Sequence, residues 1–549
     1  MPQEEEHLYR SGPSGSLHCS LEGQDMKNAL LSVYHKDGIV EFARELADLD
    51  FTLYASGGTY KHLTENGIGA VPVSELVGGD AILGHRVVTL SREVHAGLLA
   101  KATKADDAEL QSLGIPRIDL VCVDLYPLEA EIAKEESTRE SVIEQTDIGG
   151  PTMIRSGVKG GRIVVCDPAD RQRVIDWLKD GEPDNNFVEN LASKAEYTIA
   201  KYCMASSRYL SNGHYEGIFG ERIQTCKYGE NGWQSPAYLY TSGSDDPLAL
   251  DQFKVLEGTP PSYNNYVDID RMLQTMSHIM EAYAVNAVWR PDVAIGVKHG
   301  NTCGAAATWG SSPLASMLAG DPLAIFGGLI MTNYGLREDN VEALQGVMLD
   351  GIIVPSITQG AIELLRRKSN KCRFIVNPAL ADIRLDMTPR VRPVRGGFLS
   401  QPNYTFVPDI ADEGENTSVV KYGETSSSEG RGMLMAWAIG STSNSNTVTL
   451  VKDNMLIGNG VGQQDRVGAC ELALARARRS GHDPKGAVAY SDSFFPFPDG
   501  PEKLIEAGIR AIFATSGSIR DQQTIDLCKE HGVALYLMPD SDARGFFGH

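Results

Sequence analysis

Two short stretches of the chain gather residue types that can do chemistry. Ser56-Gly57-Gly58-Thr59 follows the apolar run Phe51 to Ala55 and precedes helical spacing over Tyr60 to Glu65. A glycine-rich turn that opens a helix presents free backbone N–H groups, which can cradle a phosphate. The plain alternative is a turn whose glycines supply φ > 0. The second stretch, Lys298-His299-Gly300-Asn301, comes directly after the apolar strand pattern Asp292 to Val297. A histidine beside an ammonium can move protons near neutral pH, and its alternative is an exposed pair at a strand end. Asn446, in Ser443-Asn444-Ser445-Asn446, offers an amide that donates without titrating, or else a turn residue. Phe494 offers a ring face to a ligand or packing to the core.

Other chemistries are excluded. Nine cysteines contain no Cys-x-x-Cys pair and twelve histidines no His-Glu-x-x-His spacing, so neither a disulfide framework nor a zinc site is expected. A formal charge of −22 argues against wrapping nucleic acid. An anionic substrate then needs a local cationic pocket, which makes individual arginines informative. No apolar run reaches the ~20 residues of a membrane span. Residues 1–26 carry Glu4-Glu5-Glu6 and a Ser/Gly-rich stretch without a signal core, and read as a disordered tail of a cytoplasmic protein.

The elements that must position these residues follow from periodicity. The strand from Ala29, the helix Gly38 to Leu49 and the strand Phe51 to Ala55 make a strand–helix–strand pattern, and Ile118 to Leu125 is a further strand ending at Tyr126-Pro127. This is the signature of a parallel α/β sheet, whose ligands lie beyond the strand C-termini. Arg171 to Leu178 and Phe187 to Arg208 read as helices of a connector. Glycine enrichment over 217–232 places the main boundary near 215–225. The second half mixes helices such as Asp268 to Ala284 with strands such as Val293 to Val297, Gly351 to Val354 and Ala511 to Ala514, with no fixed-period repeat.

In order along the chain stand Ser56-Gly57-Gly58-Thr59, Asp147-Ile148-Gly149-Gly150-Pro151-Thr152, Asp167-Pro168-Ala169-Asp170, Tyr228-Gly229-Glu230-Asn231, Lys298-His299-Gly300-Asn301, Phe326-Gly327-Gly328, Ser445-Asn446 and Ser491 to Gly500. From Ala29 to the last residue this order resembles the bifunctional aminoimidazole carboxamide ribonucleotide (AICAR) transformylase/IMP cyclohydrolase family. The resemblance implies an α/β protein. A methylglyoxal-synthase-like parallel-sheet domain spans 27–175, a helical connector 176–220, and a transformylase-like pair of cytidine-deaminase-like α/β lobes without zinc 221–549. It implies 10-formyltetrahydrofolate as co-substrate, no metal, a nucleotide-like amine as acceptor, and a homodimer sharing its transformylase sites.

Site residues carry over by matching position. The resemblance assigns proton transfer to His299, support of the leaving group to Lys298, and oxyanion or amide binding to Asn446. Lys227, Tyr228, Asn265, Arg466, Phe494 and Asp499 match substrate-binding positions; without it, Asn265 is an Asx turn and Arg466 a surface salt bridge. The cyclohydrolase-type pocket matches at Ser56, Gly57, Gly58, Thr59, Thr89, Tyr126, Asp147 and Lys159, the last two retained for the reaction or for structural pairing alone.

The chain also departs from the family. Where relatives read Arg-Val-Lys-Thr-Leu-His-Pro it has Arg86-Val87-Val88-Thr89-Leu90-Ser91-Arg92, so a charged donor is replaced by Val88; losing one such donor costs ~10²–10³ in rate. Asp124 stands for Asn, Leu128 for Phe and Gly160 for Asn. Lys227 and Gly545 replace arginines, Thr302 replaces Pro, and Arg544 is the nearest substitute for the C-terminal arginine. The expectation is therefore a folate-dependent formyltransferase with an impaired cyclohydrolase half. The alternatives are a fully bifunctional enzyme of purine synthesis, a formyltransferase of specialised metabolism with another acceptor, and a non-catalytic nucleotide-binding protein.

Overall fold

The computed structural model describes residues 27–84, 86–367, 371–411 and 419–547; the tail expected over 1–26 lies outside the described residues. The chain divides into two compact units between Phe219 and Gly220.

The first unit is built on five parallel strands, β1 (Lys27–Ser32), β2 (Phe51–Ala55), β3 (Val71–Pro72), β4 (Leu120–Val123) and β5 (Ile163–Val165), in the order β3-β2-β1-β4-β5. A sheet covered on both faces needs apolar residues at every position. Accordingly all four residues of β4 are buried. In β1, Ala29 and Leu31 join the cluster of the Ile39–Asp48 helix, while Leu30 faces Val94, Leu98, Met153 and Ile154. The segment read as a connector packs onto this unit: the Asn185–Leu210 helix places Leu191 on one face and Ala195 and Ile199 on the other. The Gly57–Glu65 helix starts at Gly57, three residues earlier than the spacing suggests. Gly57 and Gly58 are its first residues with right-handed backbone, so the reading of a φ > 0 turn is corrected.

In the second unit, the hairpin β6 (Glu221–Cys226) and β7 (Ala237–Thr241) precedes a twelve-stranded sheet. One half of that sheet holds β8 (Lys254–Glu257), β9 (Asp292–Lys298), β10 (Asn301–Thr308), β11 (Leu329–Thr332), β12 (Gly351–Val354) and β13 (Arg373–Val376). After the hairpin β14 (Arg390–Val394) and β15 (Gly397–Gln401), the other half holds β16 (Val420–Tyr422), β17 (Val448–Lys452), β18 (Met455–Gly460), β19 (Val488–Ser491), β20 (Ala511–Ser516) and β21 (Ala534–Pro539). The order β16-β21-β20-β19-β17-β18-β10-β9-β11-β12-β13-β8 reads the same from both ends. Each half runs from a central antiparallel hairpin to three mutually parallel strands and an antiparallel edge strand. The repeat thus lies in topology, as the pair of lobes implied by the resemblance requires, and leaves no fixed period in the sequence because a buried strand is satisfied by many apolar residues.

In each half a long helix links the edge strand to the hairpin, Tyr263–Val285 in the first and Ser427–Ser441 in the second, and each starts with a capping box, from Ser262 and Ser426. Met433 to Ser441 are buried on all sides, as in a central core helix. Both helices feed one hydrophobic cluster, and the middle of the first is tied to the C-terminal end of the second by Thr275 Oγ1 and Thr442 Oγ1 at 2.8 Å.

Candidate functional site

β9 and β10 are joined by His299 and Gly300, at φ 53° and 70°. Two consecutive left-handed residues form the primed turn that fits the twist of a hairpin. The matching hairpin of the other half turns through Asp453 and Asn454, at φ 51° and 56°. Asp and Asn tolerate this backbone, whereas another L-residue costs ~1–2 kcal/mol there. His299 is held by what surrounds it. Gly300 N–H donates to Asp268 Oδ1 at 2.6 Å, Asn301 Nδ2 donates to the His299 carbonyl at 3.1 Å, and Lys298 Nζ donates to the Phe326 carbonyl at 2.5 Å. Lys452, at the matching place, donates to the Asp483 carbonyl at 3.0 Å. Burial pushes the Asp268 carboxyl up, opposed by the N–H groups of Gly300 and His299 and by the charges of His299 and Arg271.

Asn265 stands one turn before Asp268. Its Oδ1 accepts from Ser262 N and Oγ, both at 3.0 Å, so this oxygen serves the helix cap. The next-door Asn264 Nδ2 donates to the Glu230 carbonyl at 3.2 Å, which ties the loop of Lys227 and Tyr228 to the start of this helix. Lys227 is exposed, with its ammonium 5.6 Å from the Tyr228 ring centre.

A second group forms in the other half. Asn446 uses both ends of its amide: Nδ2 donates to the Gln463 carbonyl at 2.9 Å and Oδ1 accepts from Arg466 Nη2 at 2.8 Å. Arg466 Nη1 pairs with Asp492. The side chains of this pair are 9% and 0% exposed, so the surface salt bridge anticipated for Arg466 is corrected to a buried one. Removing one partner of such a pair typically costs ~3–5 kcal/mol, because the other charge is left buried. Phe494 is half-buried, with the Arg544 guanidinium 5.9 Å from its ring centre; Phe495 is the ring that enters the core. Arg544 pairs with Asp540 at 2.5 Å. Asp499 is exposed at the start of its helix, accepting from Gly500 N at 2.8 Å.

The two groups meet through Arg271, which donates to the Thr442 carbonyl and, at 3.2 Å, to Asn444 Oδ1, and through Asn459, whose Nδ2 donates to the Thr302 carbonyl at 3.0 Å. Phe547 lies between the guanidinium groups of Arg271 and Arg390, 4.6 and 4.4 Å from its ring centre, and donates from its backbone to Ser443 at 3.0 Å. At Gly545 a Cβ would come within 2.4 Å of the Tyr404 hydroxyl and 2.6 Å of Ser441 Cβ, so this backbone leaves no room for a side chain.

In the first unit, Ser56 Oγ lies 2.8 Å from Ser32 Oγ, and Thr59 Oγ1 accepts from Val33 N at 3.0 Å. Tyr126 is exposed with its ring 5.4 Å from that of Tyr34. Asp124 accepts from the backbone of Tyr34 and, at 3.0 Å, of His35, whose ring Nδ1 is 3.1 Å away. Asp147 accepts from Gly150 N at 2.8 Å, and burial pushes its carboxyl up against the opposing N–H groups of Gly150 and Tyr126. Thr89 is buried against Gly149. Lys159 sits at the far end of the 11-residue Gly149–Lys159 helix, ~15 Å along its axis, and is exposed. One chain therefore does not bring it to Asp147, and the structural pairing considered for these two is corrected. Val88 packs against the apolar cluster of Leu30, Val94 and Ile154. Ser91 caps the Arg92–Leu99 helix by accepting from Val94 N at 3.2 Å.

Sequence reasoning missed Asp268, Arg271, Asp492 and Phe547. Asp268 and Arg271 lie at helical spacing on an element legible from its periodicity, but their facing partners come from 32 and 171 residues away, beyond any local signal. Asp492 lies within the stretch Ser491 to Gly500, where its type alone does not distinguish it from a turn residue and only its pairing with Arg466 does. Among the described residues no group of three His, Cys, Asp or Glu side chains could hold a metal ion, and no helix is long and apolar enough to cross a membrane.

A two-fold-repeated α/β unit with a histidine on its hairpin turn, preceded by a parallel-sheet unit, defines the class. The family model described as AICARFT/IMPCHase bienzyme matches residues 162–476, and one described as MGS-like domain matches 38–152. The chain belongs to the AICARFT/IMPCHase bienzyme family. It is similar to the bifunctional purine biosynthesis protein PurH of Anoxybacillus flavithermus, 35% identical over 525 residues covering 93% of this chain and 98% of that one. The protein of the same description from Staphylococcus saprophyticus is 34% identical over 514 residues, with the same coverage. A solved chain described as a crystal structure of ForH aligns with 35% of this chain and 100% of its own length at 30% identity and a TM-score of 0.30.

Proposed function

We propose that the second unit transfers the formyl group of 10-formyltetrahydrofolate to the amine of AICAR or a close analogue. The observation that carries this reading is His299 on the left-handed hairpin turn, with Lys298 behind it and the Asn446–Arg466 group across the tie through Arg271. In this reading His299 takes the proton of the attacking amine, Lys298 supports protonation of the departing nitrogen, and Asn446 donates to the developing oxyanion after exchanging its Gln463 contact for substrate. Lys227, Tyr228, Asn265 and Arg466 bind the acceptor, Phe494 faces its ring, and Asp499 meets the folate. The reaction needs no metal, the protein is a cytoplasmic homodimer, and its transformylase sites are shared between subunits.

The cyclohydrolase half is impaired in the same reading. Supporting this, Val88 is absorbed into an apolar cluster and Asp124 is committed to the backbone of Tyr34 and His35. A different acceptor is the second reading, favoured by Gly545, whose tight packing against Tyr404 leaves no place for the arginine of relatives. Incubation with 10-formyltetrahydrofolate and AICAR, followed by mass, tests all of this. Formyl-AICAR accumulating without IMP is the expected result. IMP formation returns the chain to full bifunctionality, and absence of turnover points to another acceptor.

A further inference from the structure

We infer that Asp268 is a positioning residue for formyl transfer, holding the His299–Gly300 turn in the conformation that presents the imidazole. This rests on the formyl-transfer reading above. Asp268 projects from the 23-residue Tyr263–Val285 helix, is 8% exposed, and accepts the Gly300 N–H at 2.6 Å; the N–H of His299 faces the same carboxylate. An acceptor fixed on a long buried helix defines where the two peptide groups of the turn sit, and therefore where the His299 Cα–Cβ bond points.

The internal repeat supplies a control. Counted from the two capping serines, Ser262 and Ser426, the residue six places on is Asp268 in the first half and Gly432 in the second. A Cβ at Gly432 would lie 3.1 Å from Val488 Cγ2 and 3.6 Å from Val451 Cγ1, the latter two residues before the Asp453-Asn454 turn, so this position also faces the hairpin strand that leads into the turn. The fold thus makes the same hairpin turn without a carboxylate beneath it, from residues that accept left-handed backbone themselves. The acid is present where the turn carries a histidine. Its place there is explained by what His299 does, and the hairpin alone does not require it.

The test uses the full chain. Asp268→Ala is expected to lower kcat about 10- to 100-fold with KM for both substrates within about twofold, the size of loss that a small misplacement of a reacting group produces. Asp268→Asn keeps one acceptor oxygen for Gly300 N–H and loses less. Because Asp268 acts through His299, adding Asp268→Ala to His299→Ala costs less than about twofold more. Independently of turnover, hydrogen exchange over residues 298–302 rises about tenfold or more in Asp268→Ala while the melting profile keeps one transition. An equal loss in both backgrounds, a KM change as large as that in kcat, or unchanged exchange over the turn overturns the inference. If the unaltered chain transfers no formyl group to AICAR, the functional reading fails on that result, and the exchange measurement still decides whether Asp268 holds the turn.

Discussion

At the scale of single residues, the position of His299 separates chemistry from architecture. Lys298 and Lys452 occupy matching strand ends and both donate to a loop carbonyl, so that contact belongs to the repeated fold. Only the first half places a histidine on the turn. Replacing His299 by Ala is expected to lower kcat for formyl transfer by about 10²–10⁴, the range for a positioned acid–base group. His299→Asn should abolish activity to the same degree while leaving the melting temperature unchanged or raised, since Asn before Gly suits a primed turn better than His does. Near-normal turnover in either purified variant removes His299 from the reaction. The positions of Lys298, His299 and Asn446 were legible as motifs. That Asn446 is held at both ends by Gln463 and Arg466 was not, because its partners depend on two loops meeting.

At the scale of elements, the Tyr263–Val285 helix does more than carry Asp268. Its His278 is fully buried, stacked 5.4 Å from Tyr404 and bonded from Nδ1 to the Gln274 carbonyl at 2.8 Å. Burial pushes its pKa down from 6.5 to about 4. Between those values the unfolded chain binds a proton that the folded chain does not, so stability falls as pH falls through that window and is level above pH 6.5. The full loss attributable to this group is about 3 kcal/mol. Denaturant unfolding of the second unit at pH 7 and pH 4.5 should show His278→Gln losing less on acidification than the parent. Parallel losses in the two proteins would show that His278 is not the group being titrated. The helix itself was legible from its spacing. That it is buried enough to exclude a proton follows only from its packing on the Ser427–Ser441 helix.

At the scale of the whole molecule, the two units show different kinds of change from their relatives. In the second unit the departures read from the sequence lie at Lys227, at Thr302 in the strand that follows the His299 turn, and in the C-terminal segment, and leave Lys298 and His299 in place. In the first, three changed positions have each acquired a local structural role. Val88 packs in the core, Ser91 caps a helix, and at Gly160 a Cβ would come within 1.9 Å of the Leu98 carbonyl. We expect the full chain, given synthetic formyl-AICAR, to form IMP at a rate far below that of a bifunctional relative assayed beside it by ultraviolet absorbance. Val88→Lys alone should restore little and should also lower stability, because the new ammonium must leave an apolar cluster to reach water. Efficient closure by the unaltered chain overturns this, and Arg92, exposed beside Glu93, is then the first residue to replace.

By itself the sequence determined the parallel α/β sheet of the first unit, the strands and helices with strong apolar periodicity, and the stretches where the family's chemistry resides. These are encoded locally, by spacing along one element or by runs of identical residues in order. Tertiary structure alone decided that the two lobes of the second unit share one twelve-stranded sheet, the burial of Arg466 with Asp492, the separation of Lys159 from Asp147, and the carboxylate beneath His299. Each of these depends on which residues meet across tens or hundreds of positions. Apolar strands of many compositions satisfy the same sheet, and a hydrogen-bond partner is fixed by where two backbones come to rest.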